Sequence, residues 1–178
     1  MTASIETPRM TLRPFQTTDA PVLFTWVSDP EVMRFMPTAT GLDHSLEQTV
    51  ARVARYMSYQ ELYNFSRWLI FDRASGAAIG DAGLLKMTGT DEIELGYRFA
   101  KPWWGQGRAT EVAAAWLDYA FNTLNIPSII AFAEPENRAS IRVMEKLGMH
   151  FLRHDAISGK TEAVYGIQRP ANATAARV

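Results

Sequence analysis

Residues 9–15 alternate polar and apolar side chains, which predicts a first strand whose proline stands near the end, where a missing donor costs least. Thr18 or Asp19 can cap a short helix through Val27, with Pro21 early in it, and Asp29-Pro30 restarts a second helix carrying Val32, Met33, Phe35 and Met36. Residues 37–43 read as a loop. Ser45-Leu46-Glu47-Gln48 has the form of a capping box, and Leu46, Val50, Val53, Ala54 and Met57 recur at helical spacing to about Tyr59. Strands follow at residues 66–71, 78–87 and 92–99, separated by turns at 72–77 and 88–91, so the middle of the chain reads as an antiparallel meander. Gly80 and Gly83 are candidates for bulges. Val112, Ala113, Trp116, Leu117, Ala120, Phe121 and Leu124 form one broad apolar face on a helix over residues 109–124. Residues 128–133 are nearly all apolar, as a buried strand requires. A helix over 140–147 ends at Gly148, and residues 150–157 and 161–167 flank Ser158-Gly159-Lys160 as a hairpin.

This order is mixed α+β. At 178 residues, 47% hydrophobic and 21% charged, one domain over residues 1–169 is expected, with 170–178 a disordered tail. A net charge of −1 gives no electrostatic case for nucleic acid or a membrane surface as partner. The absence of cysteine excludes protein thiolate chemistry and fits a reducing compartment. Residues 1–8 lack a signal pattern, so the expected location is cytoplasmic. His44, His150 and His154 show no ligand spacing, and no metal site is expected.

The chemistry concentrates where strand 92–99 feeds the long helix through Pro102, Trp103, Trp104, Gly105, Gln106, Gly107, Arg108, Ala109, Thr110 and Glu111. A glycine turn opening a helix presents unpaired N–H groups and the positive end of the dipole, a setting suited to a pyrophosphate. A turn that merely joins two elements is the alternative on these residues alone. A dinucleotide fingerprint is excluded by Thr110, where a third glycine belongs, and a Walker loop by the lack of Gly-Lys-Ser/Thr.

Trp104-Gly105-Gln106-Gly107-Arg108-Ala109 resembles the acyl-CoA signature of the GNAT acetyltransferase superfamily, Arg/Gln-x-x-Gly-x-Gly/Ala. Ala109-Thr110-Glu111 continues it in the form of the branch acting on ribosomal-protein N-termini, the RimJ/RimL-like enzymes. Asn137-Arg138-Ala139-Ser140 before Glu145-Lys146-Leu147-Gly148-Met149 is similar to a second segment, Asn-x-x-Ser/Ala … Lys-Leu-Gly-Phe. The resemblance spans residues 8–168 and implies a mixed, mostly antiparallel sheet of about seven strands flanked by helices, splayed between the fourth (92–99) and fifth (128–133). It implies acetyl-CoA as co-substrate, an amine as acceptor and, in many relatives, a homodimer.

By that resemblance the amides of Gln106 to Ala109 hold the pyrophosphate, with Thr110 adding a hydroxyl. Backbone near Tyr97 to Phe99 holds the pantetheine and polarises the thioester carbonyl, and Asn137 hydrogen-bonds the same arm. Arg108 pairs with a phosphate or is an exposed cation at a helix start. Trp104 replaces the signature's Arg or Gln in the cofactor-binding turn, and the alternative is that it and Trp103 wedge the loop against the sheet. Ser140 protonates the leaving thiolate or serves as an N-cap or first-turn residue, because Met144 stands where relatives place a tyrosine acid. On strand 92–99, Ile93, Leu95, Tyr97 and Phe99 share one face and Glu94, Gly96 and Arg98 the other. Glu94 is then either a general base for the amine or an ion-pair partner of Arg98. Glu92 reads as solvated and Glu111 as structural. The expected function is direct acetyl transfer to a primary amine, with a peptide N-terminus the first choice. A small amine acceptor and a non-catalytic acyl-CoA-binding module are the alternatives.

Overall fold

The computed structural model describes residues 3–36, 41–157 and 159–171. Eight strands form one sheet in the order β1-β2-β3-β4-β5-β6-β8-β7. The meander is β2 (Met10–Pro14), β3 (Arg67–Asp72), β4 (Ala78–Lys86) and β5 (Ile93–Phe99), antiparallel throughout. β6 (Ser128–Ala133) lies parallel to β5 and antiparallel to β8 (Lys160–Gln168), which pairs in turn with β7 (His150–Ile157). β1 (Ile5–Glu6) adds an eighth strand beyond the expected seven, and two residues are too few to show alternation.

Helix α3 (Arg108–Asp118) covers one face of the sheet, setting Val112, Ala113 and Trp116 against Trp68, Leu84, Leu95 and Phe99. Trp68 and Trp116 meet edge-on at 4.9 Å, a geometry worth about 0.5–1.5 kcal/mol beyond area burial. Helices α1 (Ala20–Val27) and α2 (Leu46–Tyr63) cover the other face with Leu23, Trp26, Val27, Val53 and Tyr56 against Leu69. α4 (Arg138–Lys146) packs beside β6 and α3.

Several local expectations are corrected. Residues 29–36 make consecutive turns instead of a second helix, with Met33 N–H reaching Asp29 O and Met36 N–H reaching Met33 O. The Asp29 carboxylate accepts from Glu31 N–H, an Asx turn that competes with helix propagation. α2 runs past Tyr59 to Tyr63 and stops at Asn64, whose φ of 61° is left-handed. Ser45 caps it through Gln48 N–H, but the Gln48 side chain accepts from His44 N–H, so the box closes one residue early. α3 gives way at Tyr119–Thr123 to a π-helical turn. Near Gly80 the β3–β4 register slips, as a bulge requires, whereas Gly83 pairs regularly with Arg67 and Gly96. Residues 37–40 of the expected loop, Ser158 of the hairpin and 172–178 of the expected tail lie outside the described residues.

The feature that places the site is the join of β5 and β6. β4 and β5 pair at every position from Gly80 to Lys86, while β5 and β6 pair only at Glu94 and Ile130. Beyond that point the two strands diverge and the sheet opens.

Candidate active site

A cleft of about 1280 Å³ runs through this opening. It is lined from both faces of the sheet: Tyr56, Arg67 and Glu94 from the α1/α2 side, Ala109, Ser140 and Tyr97 from the α3/α4 side. Alternation along β5 explains the division, since Glu94 and Tyr97 differ by an odd number of residues.

On the α3 side the chain leaves β5, makes a tight turn at Lys101–Trp103 and reaches Gly105 and Gly107 at φ 72° and 74°. A Cβ on Gly105 would meet nothing within 4 Å, so glycine is required there for the left-handed backbone rather than for space. Gly107 caps α3 without a side chain. Among the described residues no acceptor meets the N–H groups of Gln106, Gly107, Arg108, Ala109 or Thr110, and all five residues line the cleft. This uncapped arc suits the diphosphate of a coenzyme A molecule.

The loop is fastened from behind. Trp104 Nε1 donates to Phe99 O at 2.6 Å, fixing the bend to the end of β5, while its side chain stays exposed and Trp103 is the tryptophan packed on the core. Arg108 is buried, which excludes the exposed-cation reading. Its Nη2 lies 2.8 Å from Asp72 Oδ1, Nε donates to Gln106 Oε1, and the guanidinium stacks 4.6 Å from the Trp103 ring. Arg9 reaches Gln106 O through Nη1 and Glu111 through Nε at 2.6 Å, so Glu111 ties the helix start to the β1–β2 turn.

Across the cleft, Asn137 is the N-cap of α4: its Oδ1 accepts from Ser140 N–H at 3.2 Å. Ser140 is therefore a first-turn residue and not the cap. Its Oγ lies 3.0 Å from Tyr97 Oη. Burial, partly opposed by that hydrogen bond, pushes the Tyr97 hydroxyl up to about 12. Arg142 and Lys146, exposed one turn apart on α4, also line the cleft.

On the α2 side, Arg98 is not the partner of Glu94. It is buried against Asp81 (Nη2 to Oδ2, 2.7 Å) and donates to Tyr56 Oη. Asp81 also accepts from Trp26 Nε1, and this network pins α1 and α2 to the sheet. Arg67 takes the place beside Glu94, with Nη2 3.4 Å from Oε1. Its guanidinium lies on Gly96, where a Cβ would come within 1.9 Å of Nη2. The Glu94 side chain is 14% exposed, and burial raises its pKa against the opposing pull of Arg67 and Arg98. Glu92 is not left to solvent, since Arg153 grips both its oxygens at 3.0 and 2.8 Å.

Sequence reasoning missed Glu162. On β8 it alternates in phase with Val164 and Gly166, the register partners of Phe132 and Ile130, so it shares the Glu94 face. It is buried, both carboxyl oxygens lack a hydrogen-bond partner among the described residues, and it lines the cleft. Burial, reinforced by Glu134 and opposed by Lys160, pushes it up to about 7. The strand alternation that placed Glu94 was the available signal. Among the described residues no three His, Asp or Glu side chains gather to hold a metal.

A sheet opened between parallel neighbours, a bare helix start on one face and carboxyls on the other define an acyl-CoA-dependent transferase. Comparison with known proteins agrees. The Acetyltransferase (GNAT) domain profile matches residues 9–150, and the chain belongs to that family of acetyl-CoA-dependent N-acetyltransferases. It is 32% identical over 145 residues to the "Uncharacterized N-acetyltransferase p20" of Bacillus licheniformis, covering 81% of this chain and 80% of that one. A GNAT-family acetyltransferase of Bacillus anthracis superposes with a TM-score of 0.80 at 26% identity, over 94% of this chain and 99% of that one. RimJ of Mycobacterium smegmatis, solved with a CoA-disulfide, superposes with a TM-score of 0.78 at 20% identity, over 94% and 86%.

Proposed function

We propose that this N-acetyltransferase acetylates the N-terminal α-amine of a peptide or protein. The observation that carries the reading is the cleft passing through the sheet, with the bare amides and Ser140 on one side and Glu94 on the other. Acetyl-CoA supplies the acyl group as a thioester. The amides of Gln106 to Ala109 and the Thr110 hydroxyl bind its diphosphate, while the exposed Arg142 and Lys146 add positive charge along the cleft. Asn137 uses its oxygen on the helix, leaving its amide N–H groups for the pantetheine arm, which runs along the backbone from Tyr97 to Phe99.

The acceptor enters from the α2 side and attacks the thioester directly, a course with which the lack of cysteine agrees. Its amine must be neutral. An α-amine near pKa 8 needs only a modest base, which a carboxyl raised by burial provides, whereas a lysine near 10.4 needs a stronger one. Glu94 accepts that proton, directly or through water, and Ser140 serves the departing sulfur. The Ala109-Thr110-Glu111 continuation of the glycine turn, which resembles the RimJ/RimL-like form, supports the same acceptor class.

The test is acetyl-CoA-dependent thiol release across N-terminal peptides, lysine peptides and small amines. α-Amines are expected to be turned over fastest, and Glu94→Gln is expected to lower kcat at least about tenfold with acetyl-CoA affinity unchanged. Preference for a small amine would replace the peptide acceptor. Full turnover of Glu94→Gln across the pH range would remove Glu94 from the chemistry.

A further inference from the structure

We propose that Tyr97 is the positioning residue for the sulfur end of the reaction: its hydroxyl donates to Ser140 Oγ and turns the Ser140 proton towards the departing sulfur. This deepens the transfer reading above and rests on it.

Met144 is buried and carries no donor, so the hydroxyl α4 brings to the cleft here is that of Ser140. A lone serine hydroxyl rotates freely and can turn its proton to any nearby acceptor. Here a second hydroxyl comes from another element. Tyr97 reaches from β5 across the opening: its Oη stands 3.0 Å from Ser140 Oγ, and the Ser140 carbonyl oxygen, 3.3 Å away, is the longer alternative acceptor for the phenol proton. The α4 end of the pair is fixed independently, because Asn137 holds Ser140 N–H at 3.2 Å. Both side chains line the cleft on the face that carries the bare amides.

Either hydroxyl can donate across the 3.0 Å contact, and the phenol, the more acidic of the two, is assigned as the donor. A thiol titrates near 8.5 and the buried Tyr97 hydroxyl near 12, so a thiolate cannot strip its proton. Tyr97 remains a donor at every working pH and acts by hydrogen bonding, not as an acid. A hydroxyl that accepts one hydrogen bond donates a stronger one, so Tyr97 strengthens the bond from Ser140 to sulfur. When the carbon–sulfur bond breaks, the electron pair passes to sulfur and Ser140 Oγ–H donates to it. The amine nitrogen loses one proton to Glu94 or water, and sulfur takes one back from solvent, so the exchange balances.

Two measurements test this, one without turnover. With CoA bound to the protein, the thiol is titrated by the ultraviolet absorbance of its thiolate. Its pKa should fall below that of free CoA in the wild type, return towards it in Tyr97→Phe and in Ser140→Ala, and move no further in the double variant. In turnover, Tyr97→Phe should lower kcat about tenfold with KM for acetyl-CoA unchanged, and less than about twofold in the Ser140→Ala background. An equal thiol pKa in wild type and Tyr97→Phe overturns the proposal. So do losses that multiply in the double variant, which a merely structural tyrosine would produce. Absence of thiol release by the wild type with any amine would strike the transfer reading instead, and the thiol titration would still decide the role of Tyr97.

Discussion

Glu162 is buried with both carboxyl oxygens unpartnered among the described residues, and its pKa of about 7 is a statement about stability as well as chemistry. In the unfolded chain it titrates near 4.5. Between those values the folded state holds a proton that the unfolded state has lost, so ionising Glu162 destabilises the fold as pH rises through that window. Glu162→Gln removes the charge at nearly constant shape. Its melting temperature should exceed the wild type's above pH 7, and the gap should close as pH falls towards 4.5. An equal gap at both ends would contradict the uncompensated burial. Asp81 behaves oppositely, because Arg98 and Arg67 outweigh its own burial and hold its carboxyl below the usual range. At this scale Glu94, Ser140 and Asn137 were legible in the sequence through alternation and motif. Their neighbours were not. Arg67 lies 27 residues from Glu94 and Tyr97 lies 43 from Ser140, and no local pattern records a contact made only when the sheet assembles.

Among the elements, the start of α3 carries most of the design. Gly107 sits at φ 74° with only Arg9 Nη2 near the position a Cβ would take, at 3.7 Å. Gly107→Ala therefore costs conformational energy more than space, about 1–2 kcal/mol. A lower melting temperature and a raised KM for acetyl-CoA, with kcat little changed, are the expected readouts. The Arg108–Asp72 pair secures the same bend to the end of β3. Asp72→Ala, which strips Arg108 of its carboxylate and Ser75 of its acceptor, should lower the midpoint of urea unfolding. The glycine bend and the apolar face of α3 were legible because both are written in adjacent residues. The stretch 29–36 was misread because its apolar residues match helical spacing while Asp29 diverts the backbone into turns. Met33 is used instead against Arg98, with Nη1 3.7 Å from its sulfur. β1 and the extension of α2 to Tyr63 depend on pairing and on Asn64, neither of which hydrophobic periodicity encodes.

Over the whole molecule, one parallel join in an otherwise antiparallel sheet opens a cleft reached from both faces, which the proposed function assigns to two substrates. The Tyr97 and Ser140 hydroxyls and the bare amides belong to the α3/α4 layer and the Glu94 and Glu162 carboxyls to the α1/α2 layer, and on the proposed function the acyl group passes between them. The buried network of Asp81, Arg98, Trp26 and Tyr56 holds the second layer in place, and Arg98 and Tyr56 also line the opening. The order of elements was enough to anticipate a mixed α+β chain and the resemblance implied the splay, whereas the width of the opening depends on where β5 and β6 part, which no residue type announces. Amide hydrogen exchange across residues 105–111, with and without acetyl-CoA, tests the plan most directly. The uncapped N–H groups of Gln106 to Thr110 should exchange freely in the apo protein and become strongly protected on binding, with little change in α2. Protection absent from this arc, or already present without ligand, would contradict the account.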